Sequence, residues 1–202
     1  TYQFLFNNPF DQEYVADFAE NTEGFSVSEQ LSFDAFYAFY KNDAEAYKIV
    51  GYGATINGIP IPSQTDPIDV IYEFPLEYEN TASSYSEWLV SIPELATYKM
   101  KQTRSYEVDG WGNLYLPNGI FETLRIKMDY EITDSIYIDA LELGFELDRE
   151  YTEYQWLGLA ASVPLLVVTE NNGIITNIQY RDQEPIGIDE SLDGLSSWNL
   201  YP

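Results

Sequence analysis

The chain has 202 residues, enough for one large domain or two small ones, and its composition of 45% hydrophobic and 16% aromatic residues excludes general disorder. Its 34 acidic and 9 basic residues give a formal net charge of −25, a field that repels nucleic acid and anionic lipid and favours cations and basic partners. With neither Cys nor His, disulfides, thiolate nucleophiles, Ser-His-Asp triads and imidazole or thiolate metal sites are excluded, which leaves carboxylate-pair, Tyr or Lys chemistry and oxygen-ligated calcium.

In chain order, Tyr2–Phe6 reads as a first strand, and Thr1-Tyr-Gln-Phe-Leu-Phe6 as mature protein rather than a leader. No apolar run approaches the roughly 18 residues of a spanning helix, so direct membrane insertion is not expected. Asp11–Ala19 sets Tyr14, Val15, Phe18 and Ala19 at helical spacing, which a short helix explains. Strands follow at Phe33–Tyr40, Ala46–Tyr52, Val70–Phe74 and Ser86–Ser91, while Gly58–Pro67, with three prolines, reads as an irregular loop.

The strongest pattern is Leu124–Tyr130, where Leu124, Ile126, Met128 and Tyr130 alternate with Arg125, Lys127 and Asp129. That alternation is the period of a half-buried strand. Upstream, Tyr98–Val108 reads as a long strand and Leu114–Leu116 as a short one, separated by turn signals at Asp109-Gly110 and Pro117-Asn118-Gly119. The three form an expected meander. Ser135–Leu147, Thr152–Leu159, Pro164–Thr169 and Ile174–Tyr180 complete the strands, the last two joined by an Asn171-Asn172-Gly173 turn.

Five of the nine basic residues, Lys99, Lys101, Arg104, Arg125 and Lys127, fall on two strands of this meander. They are either cross-strand partners of acids such as Glu107, Glu122 and Asp129, or a basic stripe for an anionic ligand or for docking onto another acidic copy. Trp111 and Trp156 read as core or rim aromatics, or as a platform for stacking a ligand. The dense aromatic run Phe33–Tyr40 suits core packing between sheets. Carboxylates are too numerous for a catalytic pair to be singled out. No EF-hand loop is present, and the acidic run Asp182–Asp193 reads as a solvated linker, so no cofactor is assigned and calcium stays open through oxygen ligands in loops.

Several stretches resemble uncharacterised secreted proteins of Bacteroidetes. Asp109-Gly-Trp-Gly-Asn-Leu-Tyr-Leu-Pro-Asn-Gly through Leu124-Arg-Ile-Lys127 is similar to their Asp-Gly-x-Gly segment. Tyr154-Gln-Trp-Leu157, Pro164–Val168, Ile174–Tyr180 and Ile71–Tyr78 fit the same pattern, so the resemblance covers residues 70 to 181. At the end of the chain Leu200-Tyr201-Pro202, after the acidic linker Asp189–Trp198, resembles the opening of the type A sorting domain of the type IX secretion system. The resemblance implies a cargo exported across the outer membrane by that translocon and its sorting machinery, with the sorting domain missing here, and a secreted or cell-surface location. Asp134-Ser135-Ile136 resembles the short O-glycosylation pattern of that phylum, which nominates Ser135 for modification.

The expected architecture is mainly β, an antiparallel β-sandwich or a strongly curved antiparallel sheet with at most one or two short helices. One domain is expected over residues 1–185, then a linker over 186–202. The expected function is non-enzymatic, in adhesion or in surface or matrix assembly by self-association. A carbohydrate-binding module recognising surface glycan is the alternative, with a carboxylate-dependent glycan hydrolase behind it.

Overall fold

The structure, a computed structural model, describes residues 14–22, 25–28, 31–56, 59–158, 163–181 and 198–200. Among the described residues twelve strands run in chain order: β1 (Phe18–Thr22), β2 (Phe25–Ser28), β3 (Leu31–Asn42), β4 (Ala46–Ile56), β5 (Ile59–Glu73), β6 (Thr81–Ile92), β7 (Ala96–Leu116), β8 (Gly119–Ile138), β9 (Leu143–Gly158), β10 (Leu166–Asn171), β11 (Ile174–Arg181) and β12 (Trp198–Leu200). Their hydrogen-bonding order is β1-β3-β4-β5-β6-β7-β8-β9-β10-β11-β12, with β2 on β3. Every recorded pairing is antiparallel. The fold is mainly β, as the alternation implies.

Several sequence expectations are corrected. The stretch Asp11–Ala19 is described only from Tyr14 onward, and its Phe18 and Ala19 lie in β1 rather than in a helix. The proline-rich stretch is not a loop: Pro60 and Pro62 pair with Thr55 and Gly53 of β4. Residues two apart in a strand turn their backbone nitrogens the same way, so both prolines withhold a donor from one side only and the ladder with β4 survives. The turn expected at Asp109-Gly110 does not form either, because β7 runs through it to Leu116. The meander is therefore one long hairpin, closed at Pro117-Asn118. The expected strand Ser135–Leu147 is instead broken by a 3-10 turn, Asp139–Leu141, followed by Glu142 in the left-handed region (φ 48°). The Asn172-Gly173 turn forms as read, with φ of 50° and 79°.

Contacts divide the chain into two compact units. The first holds the described residues up to Pro75 with Ser83–Arg104 and Glu131–Arg149; the second holds Leu76–Ala82, Ser105–Tyr130 and the described residues from Glu150 onward.

In the first unit, β7 buries Ala96, Tyr98, Met100, Gln102 and Arg104 and turns Lys99, Lys101 and Thr103 outward. Phe39 and Val50, both fully buried, pack with Ala16. A ladder of rings crosses β1, β3, β4 and β5: Phe18 stacks on Tyr40 at 5.2 Å, Tyr40 on Tyr47 at 5.4 Å and Tyr47 on Tyr72 at 5.2 Å. Such cross-strand aromatic pairs add about 0.5–1.5 kcal/mol each beyond area burial. A second cluster reveals curvature. In a flat sheet β3 and β6, three strand spacings apart, would be separated by about 14 Å. Yet Phe36 of β3 meets Trp88 of β6 at 5.5 Å, and Tyr52 of β4 meets it at 4.9 Å. The sheet of this unit curls strongly about Trp88, which matches the curved-sheet alternative.

In the second unit the core is Tyr106 and Val108 of β7, Ile126, Met128 and Tyr130 of β8, and Leu165. Tyr130 stacks on Tyr151 of β9 at 4.5 Å. Opposite this buried face, Arg125, Lys127 and Asp129 point away from the core, as the alternation requires.

Candidate functional site

The second unit carries an open groove of about 290 Å³, lined by Gly110, Trp111, Gly112 and Asn113 of β7, Thr123 and Arg125 of β8, and Trp156 of β9. This is the small end of the range for ligand clefts, roughly 300–1,000 Å³, and suits one ring-sized group of a longer molecule. Both tryptophans nominated from the sequence lie in it. Trp111 is 75% exposed, on the outward phase of β7; Trp156 is half-buried.

Strand register brings the pieces together. Asp129 of β8 accepts a hydrogen bond from Thr152 of β9 at 2.6 Å, and the neighbouring pair Tyr130 and Tyr151 stack. Counting four residues back along β8 and four forward along β9 sets Arg125 opposite Trp156. Accordingly the Arg125 guanidinium carbon lies 5.9 Å from the Trp156 ring and 5.6 Å from that of Tyr154, both within cation–π range. From the other side, Asp109 grips Arg125 in a two-pronged pair: Nε donates to Oδ1 at 2.8 Å and Nη2 to Oδ2 at 3.0 Å. That hydrogen-bonded pair pushes the guanidinium still further toward its charged form, against partial burial.

Two glycines form part of the groove lining. A Cβ on Gly110 would rest 3.6 Å from the Arg125 side chain, while one on Gly112 would meet nothing within 4 Å. Gly112, at φ +151°, also takes a conformation that side chains rarely adopt. Its carbonyl accepts a hydrogen bond from Thr123 Oγ1 at 3.3 Å, tying the groove wall to β8.

The five basic residues do not all share this setting. Arg104 lies on the inward phase of β7 and is 4% exposed, with Nη2 donating to buried Asp69 Oδ2 at 3.0 Å. It cannot contribute to an exposed basic stripe. Lys99 pairs with Glu87, whose carboxyl is held below the ordinary range chiefly by that lysine and next by the Tyr85 hydroxyl. Lys101 is exposed and adds its charge to the same neighbourhood. Lys127 pairs with Asp129 along its own strand at 2.8 Å. The carboxylates in ion pairs with them include Glu87, Asp69, Asp109 and Asp129; of the acids nominated from the sequence Asp129 is among these, and Glu107 acts on Lys127 through its charge.

Ser135 sits within β8, its hydroxyl donating to Glu146 Oε1 at 2.9 Å. The preceding Asp134 faces inward and is held by Tyr98 Oη at 2.5 Å and Arg149 Nε at 2.6 Å. An enzyme reading that Asp-Ser pair on the folded chain would find the carboxylate already engaged. Of the junction residues, Leu200 lies in β12, opposite Gln179; Tyr201 and Pro202 fall outside the described residues, as does the strand expected at Tyr2–Phe6. Among the described residues no group of three acidic side chains could hold a metal ion, and no helix is long and apolar enough to cross a membrane.

Sequence reasoning nominated Trp111, Trp156 and Arg125 separately but missed Asp109, Asn113 and Tyr154. Their only signal is phase: Asp109, Trp111 and Asn113 are spaced by two on the outward side of β7. Comparison with protein-family models, curated proteins and solved structures finds no match for this chain.

Proposed function

We propose that this protein is an exported glycan-binding protein, a type IX secretion cargo that attaches to sugars at or beyond the cell surface, in adhesion or matrix assembly. The observation carrying the binding function is the convergence of Trp111, Trp156 and Arg125 on one open groove. Trp111 supports it most directly. A tryptophan left 75% exposed keeps a large apolar face in water. Covering one face of an indole removes on the order of 80 Å² from solvent, worth about 2 kcal/mol. A sugar ring offers a matching apolar face of C–H groups and a rim of hydroxyls, for which Arg125 and Asn113 supply donors and an acceptor. Glycoside hydrolysis needs two carboxylates flanking the bond, and none lines this groove, so the groove favours binding over cleavage. Export rests on the sequence resemblance.

The test is affinity electrophoresis and calorimetry of the full chain against a panel of polysaccharides. Trp111→Ala should weaken the best ligand about 30-fold, the equivalent of about 2 kcal/mol, and leave thermal stability nearly unchanged. Undiminished binding by Trp111→Ala and Trp156→Ala variants would remove the groove from consideration.

A second reading, self-assembly through a sheet edge, is favoured by one observation in the first unit. Leu143, Phe145 and Leu147 of β9 alternate along the strand and are 54%, 48% and 55% exposed. β10 pairs with β9 only over Thr152–Trp156, so the outer edge of Leu143–Asp148 has no strand partner among the described residues. Exposed apolar edges of this kind template pairing between chains. Light scattering should then show concentration-dependent association that Leu147→Lys abolishes; a monomer at millimolar concentration ends this reading.

A further inference from the structure

We infer that the groove selects a neutral, hydroxyl-rich sugar ring over an acidic one, and that Asp109 is the positioning residue that enforces the choice by holding Arg125. This rests on the groove being a glycan site. An exposed arginine among aromatic rings would by itself suit a carboxylate, the natural bidentate partner of a guanidinium. Here one of the two bidentate edges is taken. Nε and Nη2 are spent on the two oxygens of Asp109, whose side chain is only 19% exposed against 41% for Arg125, so a second carboxylate is left only the Nη1–Nη2 edge, beside the first.

A uronate carboxylate entering the groove would have to displace Asp109 or share Arg125 with it, setting two negative charges side by side. It would also approach a body of net charge −25. A neutral ring meets neither obstacle. Of the five N–H donors of a guanidinium, three remain for hydroxyl oxygens, and Asn113 in the same lining both donates and accepts. Pinned by Asp109 and lying within 6 Å of the centroids of the Tyr154 and Trp156 rings, the guanidinium presents those donors from a fixed plane. Fixing it beforehand lowers the ordering cost of binding.

The experiment measures affinity of the full chain for two neutral polysaccharides, mannan and a soluble β-glucan, and two polyuronates, alginate and polygalacturonate. Measurements at about 0.15 M and about 1 M salt, where the Debye length falls from about 8 Å to about 3 Å, separate the groove from the field of the whole body. The wild type should bind a neutral polymer at least about tenfold more tightly than either polyuronate, and keep that preference at high salt. Asp109→Asn, which preserves shape but frees the charge of Arg125, should weaken neutral binding and strengthen polyuronate binding by about tenfold; Asp109→Glu should restore the wild-type order. Polyuronates bound as tightly as neutral polymers by the wild type, or a preference that vanishes in high salt, would overturn the selectivity while leaving a glycan site. An unchanged order in a folded Asp109→Asn variant would remove the role of Asp109. Binding to none of the four polymers would overturn the glycan reading and this inference with it.

Discussion

Asp69→Asn and Arg104→Met break the same buried ion pair from opposite ends, and they should not cost the same. The two side chains are 1% and 5% exposed, 3.0 Å apart between Oδ2 and Nη2, and Gln102 Nε2 donates to the same carboxylate oxygen at 3.0 Å. At that distance an effective dielectric near 20 gives about 5 kcal/mol of attraction, set against several kcal/mol of desolvation for each ion. Removing either member leaves the other charge buried without this partner, a loss of about 3–5 kcal/mol. Asp69 has an escape. Burial already pushes its carboxyl above the ordinary range, against the pull of Arg104 first and Gln102 second, and without Arg104 it can take up a proton. Arg104 has no such route, since a guanidinium stays charged throughout the accessible pH range. Asp69→Asn should therefore cost about 5 kcal/mol near pH 7 and at least as much near pH 5, where the raised pKa of wild-type Asp69 still adds stability.

Arg104→Met should cost less, and its cost should depend on pH. An acid whose folded pKa is raised binds its proton more tightly folded than unfolded. Its stability contribution is present in full below the unfolded value, about 3.9, and is lost as pH rises toward the folded value, at most about 1.4 kcal/mol per pH unit. Wild-type Asp69 is itself raised, so the Arg104→Met deficit grows as pH rises above the wild-type folded pKa, where only the variant's carboxyl still holds its proton. Urea unfolding followed by tryptophan fluorescence, with slopes compared across variants, measures it. The double variant removes both of these buried charges and should recover most of the loss. Equal, pH-independent deficits in the two single variants, or a double variant as unstable as their sum, would refute the reasoning.

Two further outcomes follow from single side chains. Asp43 caps the turn between β3 and β4, its Oδ1 accepting from the backbone N–H of Glu45 and Ala46 at 3.0 Å each; chiefly through Lys48 and then these N–H groups, its pKa is lowered to about 2. A depressed acid contributes stability above its unfolded pKa and loses it as pH falls through the folded one, so the gap between wild type and Asp43→Ala should be flat above about pH 5 and narrow between about pH 4 and pH 2; a gap that does not change with pH would contradict this. Trp88, 2% exposed at the centre of the ring cluster, should lose about 3–5 kcal/mol on replacement by Ala, whereas Trp111→Ala should cost under about 1 kcal/mol; comparable losses in thermal unfolding would mean that Trp111 is packed rather than presented.

Arg104 shows how far the sequence could be read. By charge it groups with Lys99 and Lys101, yet it stands in phase with Tyr98, Met100 and Gln102 on the strand, and the period of two assigns it to the inside. Its partner Asp69 was out of reach, being 35 residues away on β5. The strand ends were obscured for local reasons: Asp109-Gly110 and the prolines of β5 are turn-formers by propensity, but long-range ladders outvote propensity where each backbone group finds a partner. Trp111 and Trp156 were visible as aromatics; their meeting was not.

By itself the sequence determined the strand-rich class, because a period of two is written into the order of side chains and survives any arrangement of the strands. It also determined the phase of each strand residue. Only the tertiary structure decided that the first unit curls about Trp88, that Arg104 is sealed against Asp69, and that Trp111, Arg125 and Trp156 line one groove. Those facts depend on register between strands, and register is set by pairings spanning tens of residues, where a shift of one residue would turn each of these side chains to the other face.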